Sequence, residues 1–142
     1  MSVDKAFVDT NILIYIYSID DQKKHNLAIK QINKYDRILS TQVLNEFCNV
    51  CIRKLKLEPL KVEAAVDKIC RTNTLSIVNK DTVKYALFIH RKYSYSYYDS
   101  LIIASALENE CDYLLSEDLA NGQVIEGSLT ICNIFSNNLI KG

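Results

Sequence analysis

The stretch Ala6-Phe7-Val8-Asp9 decides the fold class, together with the apolar run at residues 12–16 that follows it. Three apolar residues that end at an acid are typical of a short buried strand, and the continuous apolar run after them predicts a buried helix. The same pairing of a short apolar run with a helical pattern recurs along the chain.

Outward from this stretch, four more short apolar runs predict strands at residues 37–39, 75–78, 113–116 and 129–132. Helical periodicity occupies residues 22–34, 43–55, 59–69, 82–92 and 96–107. Strands that alternate with helices imply right-handed crossovers and a parallel sheet covered on both faces. We therefore predict an α/β fold: a single three-layer α/β/α domain over residues 1–142, with a short, mostly parallel sheet of four to five strands.

Composition supports one globular domain and excludes several other classes. The chain has 142 residues, of which 49% are hydrophobic, and only three glycines and one proline. This content excludes disordered and collagen-like chains. Seventeen basic residues balance seventeen acidic ones, so net charge favours neither nucleic acid nor a membrane surface.

The cysteines and the first residues indicate a reducing compartment. Cys48 and Cys51 form a C-x-x-C, but no second pair completes a zinc site, and both lie at helical spacing. We predict that they are buried free thiols. The first five residues lack the pattern of an export signal, and no run of about 20 apolar residues predicts a membrane span. The predicted location is the cytoplasm.

Three acids are predicted to meet at one edge of the sheet. Asp9 ends the first strand, Asp118 follows the fourth, and Asp99 lies in the first turn of the helix before the fourth. Ligands of parallel sheets bind outside the carboxyl ends of the strands. Carboxylates held close together repel one another, and a divalent cation such as Mg²⁺ removes that repulsion.

Most of the candidate acids also have a purely structural explanation. Asp99 stands three residues after Ser96, so the pair fits a helix capping box. Asp118 fits a loop residue or a helix cap. Glu46 lies about 200° from the apolar face of its helix, which is typical of a solvated glutamate. Asp9 is the exception, because an acid at the end of a buried strand needs partners.

Other catalytic motifs are absent from the sequence. No G-x-S-x-G nucleophile motif and no phosphate-binding glycine loop occurs. The two histidines, His25 and His90, fall within helical segments away from strand ends. Nucleophilic and P-loop chemistry therefore have little support.

A basic and aromatic segment precedes the last predicted helix. Its sequence, residues 91–98, reads RKYSYSYY. Cations beside aromatic rings can hold a phosphate backbone and stack unpaired bases. The candidate RNA contacts are Arg91, Lys92, Tyr93 and Tyr95. Tyrosines also pack near helix starts, and we expect Tyr97 or Tyr98 to lie in the core.

Four motifs along the chain carry a resemblance to a known family. In order, they are residues 7–11 (FVDTN), 40–47 (STQVLNEF), 98–106 (YDSLIIASA) and 114–119 (LLSEDL). Together they resemble the four acidic motifs of PIN-domain nucleases, and the short single-domain chain resembles the VapC-type toxins of toxin–antitoxin modules.

The resemblance implies an endoribonuclease that depends on Mg²⁺, with Mn²⁺ able to substitute, and that leaves 5′-phosphate and 3′-hydroxyl ends. It implies catalytic roles for four acids, which are Asp9, Glu46, Asp99 and Asp118. Of these, all but the glutamate are implied metal ligands. It implies supporting roles for Asn11 and Ser116. The family assigns no role to Glu117, which would replace Asp118 only if the register differs by one residue. The implied partners are an RNA substrate, a cognate antitoxin protein and a second copy of the chain in a homodimer.

Other classes remain as alternatives. A phosphoacceptor receiver domain needs adjacent acids after the first strand and a lysine after the last strand. In this chain, Thr10 and Asn11 follow Asp9, and residues 98–140 contain no lysine or arginine. An aspartyl phosphohydrolase needs an acid at position 11. A PIN nuclease that processes RNA without being a toxin, or a binding module without catalysis, would have the same fold.

Overall fold

The central sheet is built from short strands that lead directly into helices. A computed structural model describes residues 3–136, so the ends of the predicted domain, residues 1–2 and 137–142, lie outside the described residues. The strands are β1 (Lys5–Val8), β2 (Asp36–Ser40), β3 (Thr74–Ser76), β4 (Tyr113–Leu115), β5 (Val124–Ile125) and β6 (Leu129–Cys132). The helices are α1 (Thr10–Tyr17), α2 (Gln22–Ile32), α3 (Thr41–Arg53), α4 (Pro59–Thr72), α5 (Lys80–Tyr93) and α6 (Tyr97–Glu108).

The strand order creates a crevice beside the first strand. The order is β3-β2-β1-β4-β6-β5, and all neighbours are parallel except β5 and β6. The chain builds outward from β1 to β3 and then returns to the other side of β1 for β4. Where the order reverses in this way, the loops at the carboxyl ends of the two strands diverge and leave room for a ligand.

Helices cover both faces of the sheet. Right-handed crossovers place α1 to α4 on one face, and the reversal of direction places α5 and α6 on the other. The packing agrees, since α1 contacts α2 and α3, whereas α5 pairs with α6. The prediction of a three-layer, mostly parallel α/β/α fold is confirmed.

The central strands are apolar on both faces because helices cover both. Phe7 and Val8 of β1 and Leu114 and Leu115 of β4 are almost completely buried. In α6, every residue from 100 to 106 is buried, which fits a helix between the sheet and a second helix. This rigid centre fixes the ends of β1 and β4, where Asp9 and Ser116 follow.

The number of strands differs from the prediction. The sheet has six strands rather than four or five, because the two-residue strand β5 joins its antiparallel edge. Two residues are too few for a periodic signal in the sequence. The pairing depends on backbone hydrogen bonds, including one of 2.9 Å from the Ile131 amide to the Gln123 carbonyl. Strand β3 ends two residues earlier than predicted, since the Val78 amide donates to Thr41 Oγ1 (3.2 Å) instead of to the sheet.

The cysteines are free, as predicted. None of the five forms a disulfide, and all lie within the described residues. Cys51 is buried and Cys48 is half-buried, and burial raises the pKa of both thiols. Within residues 3–136, no helix has the length and apolar character needed to cross a lipid bilayer.

Candidate active site

Asp9 lies between the ends of the two central strands. Its Oδ1 accepts a 2.7 Å hydrogen bond from the Thr10 amide and so caps α1. Its Oδ2 accepts a 3.0 Å bond from the Ser116 hydroxyl, and its own amide donates to the Leu115 carbonyl at 3.1 Å. These contacts fix the Asp9 carboxylate in the crevice beside β4.

The electrostatics of Asp9 show that its charge is poorly compensated. Burial raises the pKa of its carboxyl to about 6 from the ordinary 3.8. The bonds from Thr10 and Ser116 lower this pKa, while the negative charges of Glu46 and Asp99 raise it further. The structure therefore brings three of the four predicted acids into one electrostatic cluster.

Asp99 enters this cluster from the first turn of α6. Its amide donates to Ser96 Oγ at 3.2 Å, which is half of the predicted capping box. Among the described residues, no hydrogen bond involves the Asp99 carboxylate, so the reciprocal half does not form. The carboxylate is left available to another partner.

Glu46 enters the cluster from α3 and is held by a neighbour that the sequence analysis did not single out. The Gln42 Nε2 group donates to Glu46 Oε1 at 2.8 Å and to the Tyr98 carbonyl at 3.1 Å. One amide thus connects the α3 glutamate to the start of α6, beside Asp99. The i, i+4 spacing of Gln42 and Glu46 was the available signal, but the contact to Tyr98 is purely tertiary.

Asp118 and Glu117 point to different partners. Asp118 is exposed and its Oδ2 accepts a 2.7 Å bond from Asn11 Nδ2. Glu117 accepts a 2.8 Å bond from the Tyr15 hydroxyl and pairs with Lys24. The alternative register, in which Glu117 replaces Asp118, is therefore not favoured, because the Glu117 carboxylate is already engaged by a cation.

No cation of the described chain neutralises the four acids. The ion pairs within residues 3–136 are Lys24–Glu117 and Lys92–Glu126, and neither includes a predicted catalytic acid. In the same residues, no group of three or more His, Cys, Asp or Glu side chains is arranged to hold one metal ion. The predicted ligand set of Asp9, Asp99 and Asp118 is therefore not preassembled. Mg²⁺ is often bound by only one or two carboxylates plus waters, and the uncompensated Asp9 fits that mode.

The predicted RNA-contacting segment is tied to the sheet edge. Lys92 Nζ and the Tyr93 hydroxyl both donate to Glu126 Oε2, at 2.5 and 2.7 Å, and Tyr95 bonds to Gln123. These residues hold the end of α5 against the β5 region. RNA contacts by them and by the exposed Arg91 stay a prediction.

The two neighbouring tyrosines differ in exposure. Tyr97 packs against the small buried cluster of Ala86, Leu101 and Ala104, as expected for a core tyrosine. Tyr98 does not lie in the core, since 67% of it is exposed. Tyr97 occupies the place beside the buried cluster, and the Tyr98 ring packs edge-to-face on Tyr97, with ring centroids 5.4 Å apart.

The sequence matches the model of a known protein family. The chain matches the PIN domain family over residues 6–120. That match covers most of the chain and includes all four predicted acids. The chain therefore belongs to the PIN domain family, as its four motifs predicted.

Solved structures with the same fold include proteins of toxin–antitoxin systems. VapC20 of Mycobacterium tuberculosis, described as a sarcin-ricin loop cleaving toxin, has a TM-score of 0.65 at 18% identity, over 80% of this chain and 91% of that one. A toxin–antitoxin complex from Klebsiella pneumoniae has a TM-score of 0.70 at 16% identity, and the match covers 92% of this chain and 98% of that one. VapBC2 of Rickettsia felis, bound to a DNA fragment from its promoter, has a TM-score of 0.64 at 14% identity. This match covers 91% of this chain and 99% of that one.

At these identities the likeness is one of fold. Among curated protein sequences, none matches this chain. The substrates and partners of the structural neighbours are thus properties of those proteins.

Proposed function

We propose that this chain is a divalent-metal-dependent endoribonuclease, with residues 1–142 forming one catalytic domain. The observation that carries the proposal is the cluster of Asp9, Glu46 and Asp99, in which burial and mutual repulsion raise the pKa of Asp9 to about 6. A cluster of this kind at a sheet crevice is typical of a functional site, since a fold gains no stability from uncompensated buried charge.

The side chains present fit Mg²⁺ or Mn²⁺, because all of them offer carboxylate oxygens. Asp9 and Asp99 would hold the ion most directly, and Asp118 and Glu46 would contribute through water. When bound, such an ion supplies Lewis-acid stabilisation of phosphate charge and activates water for attack on phosphorus.

The neutral neighbours of the acids position them. Ser116 directs Asp9, Asn11 directs Asp118, and Gln42 directs Glu46. Hydrogen bonds to ligating carboxylates restrict their rotation, which holds oxygen atoms where a cation and a substrate phosphate meet. These three contacts come from three different elements of the chain.

Cleavage assays with labelled RNA test the activity. We expect the purified protein to cut tRNA or a structured RNA in Mn²⁺ or Mg²⁺, and not in EDTA. Asp9→Asn and Asp99→Asn should each abolish cutting while leaving the circular dichroism spectrum unchanged. A control is Asp67→Asn, an exposed acid on α4. Full activity of either site variant, or activity in EDTA, would contradict the proposal.

We further propose that the chain is the toxin of a type II toxin–antitoxin module, that it acts as a homodimer in the cytoplasm, and that an antitoxin protein inhibits it. The shared fold with toxin–antitoxin proteins from three bacteria supports this part. Induced expression in a host without the antitoxin should arrest growth, and Asp99→Asn should restore it. Normal growth alongside measurable RNA cleavage would indicate an RNA-processing nuclease instead, and a folded protein that binds RNA but never cuts it would indicate a binding module.

A further inference from the structure

A pocket of about 670 Å³ opens directly beside Glu46. It lies between α3 and the start of α6, at the edge of the acidic cluster. Its lining includes Gln42, Asn45, Glu46, Asn49, Tyr98 and Leu101. Its volume falls in the range of about 300–1,000 Å³ that is usual for small-molecule sites.

One wall of the pocket is a row of amide side chains. Gln42, Asn45, Glu46 and Asn49 are spaced i, i+3, i+4 and i+7, which places them on one face of α3. Asn45 and Asn49 are exposed, so their carboxamides are free to meet a ligand. A helix face made of three amides and one carboxylate offers hydrogen-bond donors and acceptors side by side.

Gln42 makes this wall rigid and leaves one acceptor unused. Its residue is 9% exposed, and its Nε2 group makes the two bonds to Glu46 and to the Tyr98 carbonyl. Its Oε1 atom is enclosed and has no hydrogen-bond partner among the described residues. Buried acceptors are nearly always paired in folded proteins, so an unpaired one in a pocket wall points to a polar partner that the chain itself does not supply.

The opposite side of the pocket is apolar and aromatic. Leu101 is buried there, while Tyr98 is 67% exposed. The Tyr98 ring packs edge-to-face on Tyr97 at 5.4 Å, which orders it without burying it. An exposed ring beside amide groups is a surface on which a flat, partly apolar molecule can stack.

The charges around the pocket select its occupant. No lysine or arginine lines it, and its single charge is the negative Glu46. A phosphate group is therefore disfavoured. An unpaired nucleobase has the complementary chemistry, with apolar faces for stacking and edges that carry both donors and acceptors.

We propose that this pocket binds one unpaired base of the RNA substrate, next to the phosphodiester that is cut. Asn45 and Asn49 contact the edge of the base, Tyr98 stacks on its face, and Gln42 positions the wall. The pocket thereby sets a base preference near the cleavage site. The inference rests on the proposed nuclease function, because Glu46 belongs to both the pocket and the acidic cluster.

The first arm of the test is a cleavage profile on a randomised single-stranded RNA library. We expect the wild-type chain to prefer one base or base class at one position near the cut. Asn45→Ala and Asn49→Ala should weaken that preference about 5- to 100-fold, the range for one good amide–base contact. Tyr98→Leu should raise KM and leave kcat, since stacking contributes to binding. The matched control is Asn26→Ala on the exposed surface of α2.

The second arm separates this inference from the proposed function. Binding of fluorescent oligo-A, oligo-C, oligo-G and oligo-U by the full chain is measured in EDTA, where no cleavage occurs. A base preference that Asn49→Ala removes supports the pocket even if the protein never cuts RNA.

Three results would overturn the inference. The first is an RNA-cutting protein whose profile is the same in the Asn45, Asn49 and Tyr98 variants, which would leave the nuclease function intact. The second is equal binding of all four oligonucleotides. The third is a change in sedimentation behaviour of Asn49→Ala or Tyr98→Leu without a change in base preference, which would identify the pocket as a contact between protein chains.

Discussion

Asn11 and Asp118 are joined by a 2.7 Å hydrogen bond, from the Asn11 amide to Asp118 Oδ2, although 107 residues separate them. A second bond across the same crevice, from the Ser116 hydroxyl to Asp9 Oδ2, runs in the opposite direction. The end of β1 thus supplies one acid and one neutral donor, and so does the end of β4. Each donor positions the acid of the other strand.

Removal of the Ser116 hydroxyl should weaken metal-dependent activity. Ser116 is fully buried, and its bond lowers the pKa of Asp9. In Ser116→Ala, Asp9 loses this partner, so we expect about a 10- to 100-fold loss in apparent metal affinity, as for other residues that support a metal ligand. The apparent metal affinity of both proteins is measured by following RNA cleavage as the Mn²⁺ concentration is raised.

The control for this prediction is Ser105→Ala. Ser105 is also buried, but its hydroxyl has no hydrogen-bond partner among the described residues. Its removal should leave the metal titration unchanged and should not lower the free energy of unfolding, because an unpaired buried hydroxyl contributes only a desolvation penalty. Equal effects of the two substitutions would show that Ser116 acts through packing alone.

Asp9 should make the metal-free protein less stable as the pH rises. Its folded pKa of about 6 exceeds the ordinary 3.8, so between these values the folded state binds more protons than the unfolded state. The free energy of unfolding therefore falls as the pH increases through this window. The loss in the free energy of unfolding is complete above the folded pKa of Asp9. At about 1.36 kcal/mol per pKa unit, this loss reaches about 2–3 kcal/mol.

Asp9→Asn removes this loss. In EDTA at pH 7, the variant should be more stable than the wild type, and the difference should shrink as the pH falls towards 4. Urea unfolding of both proteins across this range measures the difference directly. A wild type that is more stable than the variant at pH 7 would contradict the assignment of an uncompensated charge to Asp9.

Metal binding should stabilise the fold and should require the acidic cluster. A ligand at 100 times its Kd raises the free energy of unfolding by about 2.7 kcal/mol. We expect Mn²⁺ or Mg²⁺ to raise the Tm of the wild type and EDTA to reverse the shift. Asp99→Asn should lose most of the shift, because among the described residues Asp99 makes its side-chain contact through the amide and its carboxylate is left for a metal ion. An unchanged shift in Asp99→Asn would exclude it as a ligand.

Glu117 should prove to be a structural residue. It pairs with Lys24 and accepts from Tyr15, and Asn133 Nδ2 donates to its carbonyl at 3.2 Å. Glu117→Gln should cost about 1 kcal/mol of stability, as is usual for a partly exposed pair. Cleavage at saturating Mn²⁺ should remain. The same substitution at Glu126, which pairs with Lys92, is the comparison. Loss of cleavage in Glu117→Gln but not in Glu126→Gln would give Glu117 a role at the site.

Much of the architecture could be predicted from periodicity. Short apolar runs and amphipathic segments predicted the order of elements and the three layers, because the spacing of apolar residues within each element reflects which of its faces is buried. Strand β5 could not be predicted in this way. It is two residues long, and it exists because the adjacent strand β6 offers it a backbone partner.

The acids of the site were predictable to different degrees. Asp9 could be found by position, since it follows a buried strand. Glu46 could not, because its place on the polar face of α3 is also that of an ordinary solvated glutamate. Only the four motifs in order identified it.

By itself, the sequence determined the fold class and the family, and it predicted the acids of the site, since these depend on residue type and order. The tertiary structure alone decided which neutral side chain holds each acid, that Glu117 is paired with Lys24, and that a pocket opens beside Glu46. The physical reason is the distance along the chain between the residues that interact. Periodicity acts within one element, whereas the contacts of Asn11 with Asp118 and of Gln42 with Tyr98 join elements that are distant in the chain.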